Sequence, residues 1–215
     1  MFDPEGHILL TQAQFLGEIR ANLHQAVKEL ALSGTPCAFD TFRNYRTFVE
    51  AVGDRLGVHP RTIVVRGSAH FGFSTTPQPH RIWQPFRYNA VAPDPPSDID
   101  LAVVDFGYFR RMDEEVQAWE AGQRRPKVNQ PGAKYWLRRE QLRRFGVCAD
   151  DDAMPPNTCV PHVNAMTALS AIPFCRTPRK ITAYVYRDWW CLHNKCAFDL
   201  GQVRDFVASG ALRTP

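Results

Sequence analysis

Apolar side chains recur along this chain with two different periods, and the switches between them mark out its elements. Phe15, Ile19, Leu23, Val27 and Leu30 fall on one helical face. They predict a helix over 11–33, opened by Thr11 and Gln14 as a capping box and closed by Ser33-Gly34-Thr35-Pro36. Phe42, Tyr45, Val49, Val52 and Leu56 repeat the pattern, giving a second helix from an Asp40 cap to Leu56, stopped by Gly57. Then the period changes. Thr62 to Arg66 is an apolar run that ends abruptly in Gly67-Ser68, and Asp98-Ile99-Asp100 opens a second strand that runs to Asp105. A third strand, 180–186, alternates β-branched and aromatic residues. Helices are expected over 69–74 (one short turn), 108–121, 134–145 and 162–172, with two closing helices over 188–196 and 199–209.

Strands interspersed with helices indicate an α/β (α+β) fold: a small sheet flanked by helices, with a mostly helical C-terminal part. A single domain over 1–215 is expected, within which 122–175 can pack as a helical subdomain. Residues 75–96 carry six prolines, so they cannot form a regular helix, yet they also carry Ile82, Trp83, Phe86 and Tyr88. That mixture describes an ordered covering loop that selects what enters a site, not a plain connector.

Composition narrows the picture only a little. An apolar share of 44% supports a real core, and a net charge of +4 does not by itself imply nucleic acid. There is no apolar stretch of membrane-spanning length and no secretory leader pattern, and six scattered cysteines show no scaffold spacing. A cytoplasmic protein with no membrane partner is expected. Two Cys/His groups, Cys148 with Cys159 and His162, and Cys191 with His193 and Cys196, lack paired zinc-ligand spacing, and their cysteines read as buried and structural.

The chemistry concentrates between Thr62 and Asp105. Residues two apart on a strand share a face, so Asp98 and Asp100 point the same way, about 7 Å apart along the strand, while Ile99 and Leu101 enter the core. Two carboxylates at that spacing reach a common pair of divalent ions, Mg²⁺ (or Mn²⁺), that polarise an attacking oxygen and stabilise a leaving pyrophosphate. Gly67 allows close backbone approach, and Ser68 stands where a phosphate would be met; His70, beside the turn, either touches that phosphate or lies on the surface of the short helix. Without cations the two aspartates would repel a triphosphate, so metal is an electrostatic requirement.

The ordered pair Gly67-Ser68 and Asp98-Ile99-Asp100 resembles the signature of the polymerase-beta-like nucleotidyltransferase superfamily. The resemblance covers about Thr62 to Asp105. It implies a mixed-sheet core and transfer of a nucleoside monophosphate from a nucleoside triphosphate (NTP) to a hydroxyl on RNA, protein or a small molecule. The chain's size is closer to the compact bacterial members, including those of toxin–antitoxin and phage-defence systems. Many members use a third carboxylate on a later strand. Here the interior of 181–186 has none, and Asp188 at its end either supplies that acid or caps the following helix.

Arg124, Arg125, Lys127, Lys134, Arg138, Arg139, Arg143 and Arg144 form a basic run. Arg138, Arg139 and Arg143 are the candidates for binding an acceptor such as RNA; the alternative is a solvated face paired with Glu140 and nearby acids. Two further readings stay open: a catalytically impaired module of this fold that binds nucleotide, RNA or a partner, and a metal-dependent phosphohydrolase.

Overall fold

A computed structural model describes residues 3–7, 10–88, 96–125, 133–148, 155, 157–169 and 180–210, with the side chains of 133 and 134 excepted. Expectations for Lys127, for 149–154 and for 170–179 lie outside these residues, as does the side chain of Lys134.

The described residues form a three-stranded mixed sheet in the order β1 (Ile63–Arg66), β2 (Ile99–Val104), β3 (Ile181–Tyr186). β1 runs antiparallel to β2 and β3 runs parallel to it. A parallel pair needs a long crossover. Residues 105–180 supply it, and the helices α5 (Phe106–Ala121), α6 (Ala133–Arg144) and α7 (Val160–Leu169) lie within it. The remaining helices are α1 (Gln12–Ala21), α2 (Leu23–Ala26), α3 (Phe42–Leu56), α4 (Ser68–Phe71) and α8 (Trp189–Ala208).

Both faces of the sheet are covered. Ile99, Leu101 and Val103 point to a core shared with Phe48 and Val52 of α3, Met112 of α5 and Leu169 of α7. Ala102, Val104 and Tyr186 point to a second core with Phe15 and Ile19 of α1 and Leu192 and Val203 of α8. β2 is therefore central and buried on both sides, which is why it reads as a continuous apolar run after Asp100.

Local chemistry sets the helix ends. Thr11 and Gln14 form the capping box expected of them. The helix expected over 11–33 breaks at Asn22, which is extended (φ −154°, ψ 99°) and accepts a hydrogen bond from the Gln25 amide at 3.1 Å. An Asn side chain competes with the helical ladder for backbone donors, so one helix becomes two, followed by a π-helical turn over Val27–Ala31. Thr41, not Asp40, caps α3, accepting from the Asn44 amide at 3.1 Å. The two expected closing helices are one continuous 20-residue helix. Asp199 sits within it and pairs with Lys195 one turn earlier, so it supports the helix and does not start one.

Of the proline-rich stretch, 75–88 and Pro96 are described. It doubles back on itself: the Ser74 amide donates to Gln84 O at 2.7 Å, the Trp83 amide to Ser74 O at 2.8 Å, and Phe86 to Gly72 O at 2.8 Å. Trp83 holds φ +63°, a conformation unfavourable for so large a residue. Its ring is fixed edge-on against Phe15 and Phe73, which compensates. Ile82 and Phe86 are the buried side chains of this flap over 74–88.

His70 belongs to the core. It is 4% exposed and its Nε2 donates to Leu30 O at 2.6 Å, with burial pushing its pKa down to about 4. The unfolded chain binds a proton at this residue near pH 6.5 that the folded chain takes up only near 4, so stability falls as pH drops through that window. Between pH 7 and pH 5 the loss from this residue is about 2 kcal/mol. Urea unfolding of wild type and His70→Gln at the two pH values is expected to show a correspondingly smaller acid-induced loss in the variant; equal losses would refute it.

Candidate functional site

The end of β1 turns sharply at Gly67, whose φ of 62° and ψ of −144° suit only glycine. A Cβ there would lie 3.5 Å from Asp100 Oδ2, so the Gly-Ser turn and the aspartate strand do converge. Asp100 stands at the head of β2, opposite Arg66 of β1 and Thr182 of β3. Thr182 Oγ1 donates to Asp100 Oδ1 at 2.6 Å. One carboxylate oxygen is thus oriented by β3 while the other faces the turn.

Arg66 supplies the balancing charge. Its side chain is 15% exposed; Nη2 bonds Asp199 Oδ2 at 3.1 Å and Nη1 donates to the Tyr186 hydroxyl. Burial opposes the guanidinium's charge, but Tyr186, Cys196, Asp199 and Asp100 around it outweigh that cost and hold its pKa well above the ordinary value. Lys195 completes the group through Asp199; burial lowers its pKa, with Arg66 and Arg138 adding to the effect and Asp199 opposing it.

Two clefts meet here. The first, about 260 Å³, is lined by Ser68, Arg81, Arg87, Ser97, Asp98 and Asp100, with the flap as its outer wall. It is predominantly polar, and Ser68 and both aspartates line it together. The second, about 250 Å³, is lined by Arg66, Arg138, Tyr184, Lys195, Asp199 and Gln202 among others. Gly67, Thr75, Thr76 and Asp100 belong to both, so Asp100 sits at the junction.

Other expected site residues are placed elsewhere. His70 is turned inward, as described, and lines neither cleft. Asp188 is the N-cap of α8: it accepts from the Cys191 amide at 2.8 Å, the main cause of its lowered pKa, and from Arg187 Nε at 3.0 Å. On β3 the residue level with Asp100 is Thr182, so no carboxylate of that strand joins the aspartate pair. Arg139 is 1% exposed and ties α6 to α5 through Asp113 and Glu120, also donating to Cys148 O at 2.9 Å. Arg143 pairs with Glu120 and Arg125 with Glu140. Only Arg138 of the three proposed acceptor residues reaches a cleft. Cys148, Cys159, Cys191 and Cys196 are buried free thiols.

The residues that sequence reasoning passed over are Arg66, Thr182, Tyr184, Lys195, Asp199 and the flap's Arg81 and Arg87. Arg66 carried a signal, being a charged residue closing an apolar strand. Lys195 and Asp199, four apart, carried one that the misplaced helix break hid.

Asp98 and Asp100 beside Ser68 fit an ion brought in by a nucleotide, since Mg²⁺ is commonly held by one or two carboxylates together with substrate phosphates. Among the described residues no group of three or more His, Cys, Asp or Glu is placed to hold an ion unaided, and no helix is long and apolar enough to cross a membrane. Comparison with protein-family models, with curated proteins and with solved structures finds no match to this chain.

Asp188→Ala removes a helix cap and is expected to lower stability by about 1 kcal/mol, with Asp188→Asn restoring most of it, as read by urea denaturation. Unchanged stability in Asp188→Ala would refute the cap assignment. Arg139→Met leaves Asp113 and Glu120 without their buried partner and should cost about 3 kcal/mol in the same assay, a value near zero marking Arg139 as dispensable.

Proposed function

We propose that this chain is a Mg²⁺-dependent nucleotidyltransferase related to the polymerase-beta-like superfamily, moving a nucleoside monophosphate from an NTP to a hydroxyl acceptor. The observation that carries the reading is the convergence of Gly67, Ser68, Asp98 and Asp100 on one polar cleft beside a second cleft. Ser68 and the cationic Arg81 and Arg87 receive phosphates, and Asp98 and Asp100 receive the accompanying Mg²⁺. That ion neutralises charge on the phosphates when bound. The acceptor oxygen attacks the α-phosphorus; the new P–O bond forms as the bond to the bridging oxygen breaks, pyrophosphate leaves with that electron pair, and the hydroxyl proton passes to water. Thr182 keeps Asp100 oriented towards the turn, and Arg66 balances its charge from the opposite strand.

One observation favours a second reading, a nucleotide-binding module without transfer activity. Thr182 stands where a third carboxylate would be expected, and Asp188 is a cap. Incubation with each α-labelled NTP, Mg²⁺ and cell lysate separates the two. Transfer of label, lowered at least about 100-fold in Asp98→Ala and in Asp100→Ala, is the expected result. Mg²⁺-dependent nucleotide binding with no transfer to any acceptor would establish the binding module instead.

A further inference from the structure

We propose that the second cleft is the acceptor subsite and that its acceptor is a small hydroxylated molecule bearing an oxyanion, a phosphate monoester or a carboxylate, and not a nucleic acid strand. The inference rests on the nucleotidyltransferase reading. Its first support is position: the cleft shares Gly67, Thr75, Thr76 and Asp100 with the polar cleft, so a molecule held in one abuts a molecule held in the other at Asp100.

Charge is the second support. Arg66, Arg138 and Lys195 outnumber Asp100 and Asp199 along this cleft. Asp199 already receives Arg66 at 3.1 Å and Lys195 on its other oxygen, so its charge is compensated within the protein. Arg66 and Lys195 are only 15% and 18% exposed, so an entering anion meets them partly shielded from water, where the attraction is stronger than at the surface. The third support is the rest of the lining. Ala31, Phe71, Tyr184 and Leu200 offer an apolar wall for the body of a small molecule.

A polymer is disfavoured by what became of the acceptor candidates Arg138, Arg139 and Arg143. Tracking a nucleic acid backbone needs a row of accessible cations. Arg139 is buried in a structural clamp, and Arg143 and Arg125 are paired with Glu120 and Glu140. Arg138 alone of the acceptor candidates lines either of these two clefts, and its cleft, open to solvent on one side, has a volume of about 250 Å³, the scale of a small molecule and not of a strand.

Titration calorimetry on the full chain tests this, with a nonhydrolysable NTP analogue and Mg²⁺ either present or absent. The probes are ribose 5-phosphate, gluconate, ribose and a short oligoadenylate. Binding of ribose 5-phosphate or gluconate is expected, undiminished by bound analogue, with no binding of ribose; which of the two anions binds assigns the group as phosphate or carboxylate. Arg138→Met and Lys195→Met should each weaken it about tenfold or more, and Lys195→Arg should retain it. Analogue binding in the same variants reports whether the site is folded. The inference is overturned if neither anion binds, if the anion competes with the analogue, if both methionine variants bind as wild type, or if only the oligoadenylate binds. Failure of the analogue to bind while the anion does would count against the proposed function and leave the anion site standing.

Discussion

The central strand β2 has to satisfy two opposed demands. From Leu101 onward it is buried on both faces, between the α3–α5–α7 layer and the α1–α8 layer. Yet Asp100, at the head of the same strand, and Asp98, just before it, line a polar cleft. Charge cannot be carried into a two-sided core without compensation. The fold meets this by ending the apolar run at Asp100 and giving that residue a polar neighbour on each side, Arg66 on β1 and Thr182 on β3. The rest of the site depends on this row across the sheet.

Compensation spreads outward from the row. Arg66 could not be kept 15% exposed by Asp100 alone, and its partners are Asp199 and Tyr186. Asp199 in turn engages Lys195, so α8 is fastened to the sheet by alternating charges as well as by Leu192, Leu200 and Val203. Partly buried networks of this kind are worth most when every member is satisfied. The same residues form the wall of the second cleft, which makes the structural fastening and the candidate binding surface one construction.

The flap over 74–88 shows a comparable economy. Its amides and carbonyls pair within the hairpin-like return and with Gly72, so a proline-rich segment has ordered backbone without being a regular element. Phe15, Phe73 and Trp83 hold its outer end, and Arg81 and Arg87 then face the polar cleft. The aromatic residues that look out of place in a linker are the anchors that make the segment a wall.

Periodicity alone located all three strands to within a residue, the capping box at Thr11, the stop at Gly57, and the common side of Asp98 and Asp100. Each of these depends on neighbours close in sequence, where the alternation of side chains or the geometry of a cap decides the outcome. That 75–88 would hold a defined, non-helical path was legible for the same reason, prolines excluding helix while aromatics demanded burial. What the chain could not disclose is which charges meet. Arg139 and Arg143 stand on one helix and look alike in a basic run, but packing of α6 on α5 buries one in a clamp with Asp113 and Glu120 and leaves the other at the rim. Asp188 and Asp199 are both acids near β3, and only the uninterrupted course of α8 made the first a cap and the second a partner of Arg66. His70, beside the Gly-Ser turn in sequence, was drawn inward by the Leu30 carbonyl. Local periodicity is written residue by residue, whereas desolvation and long-range pairing exist only once distant segments have excluded water between them.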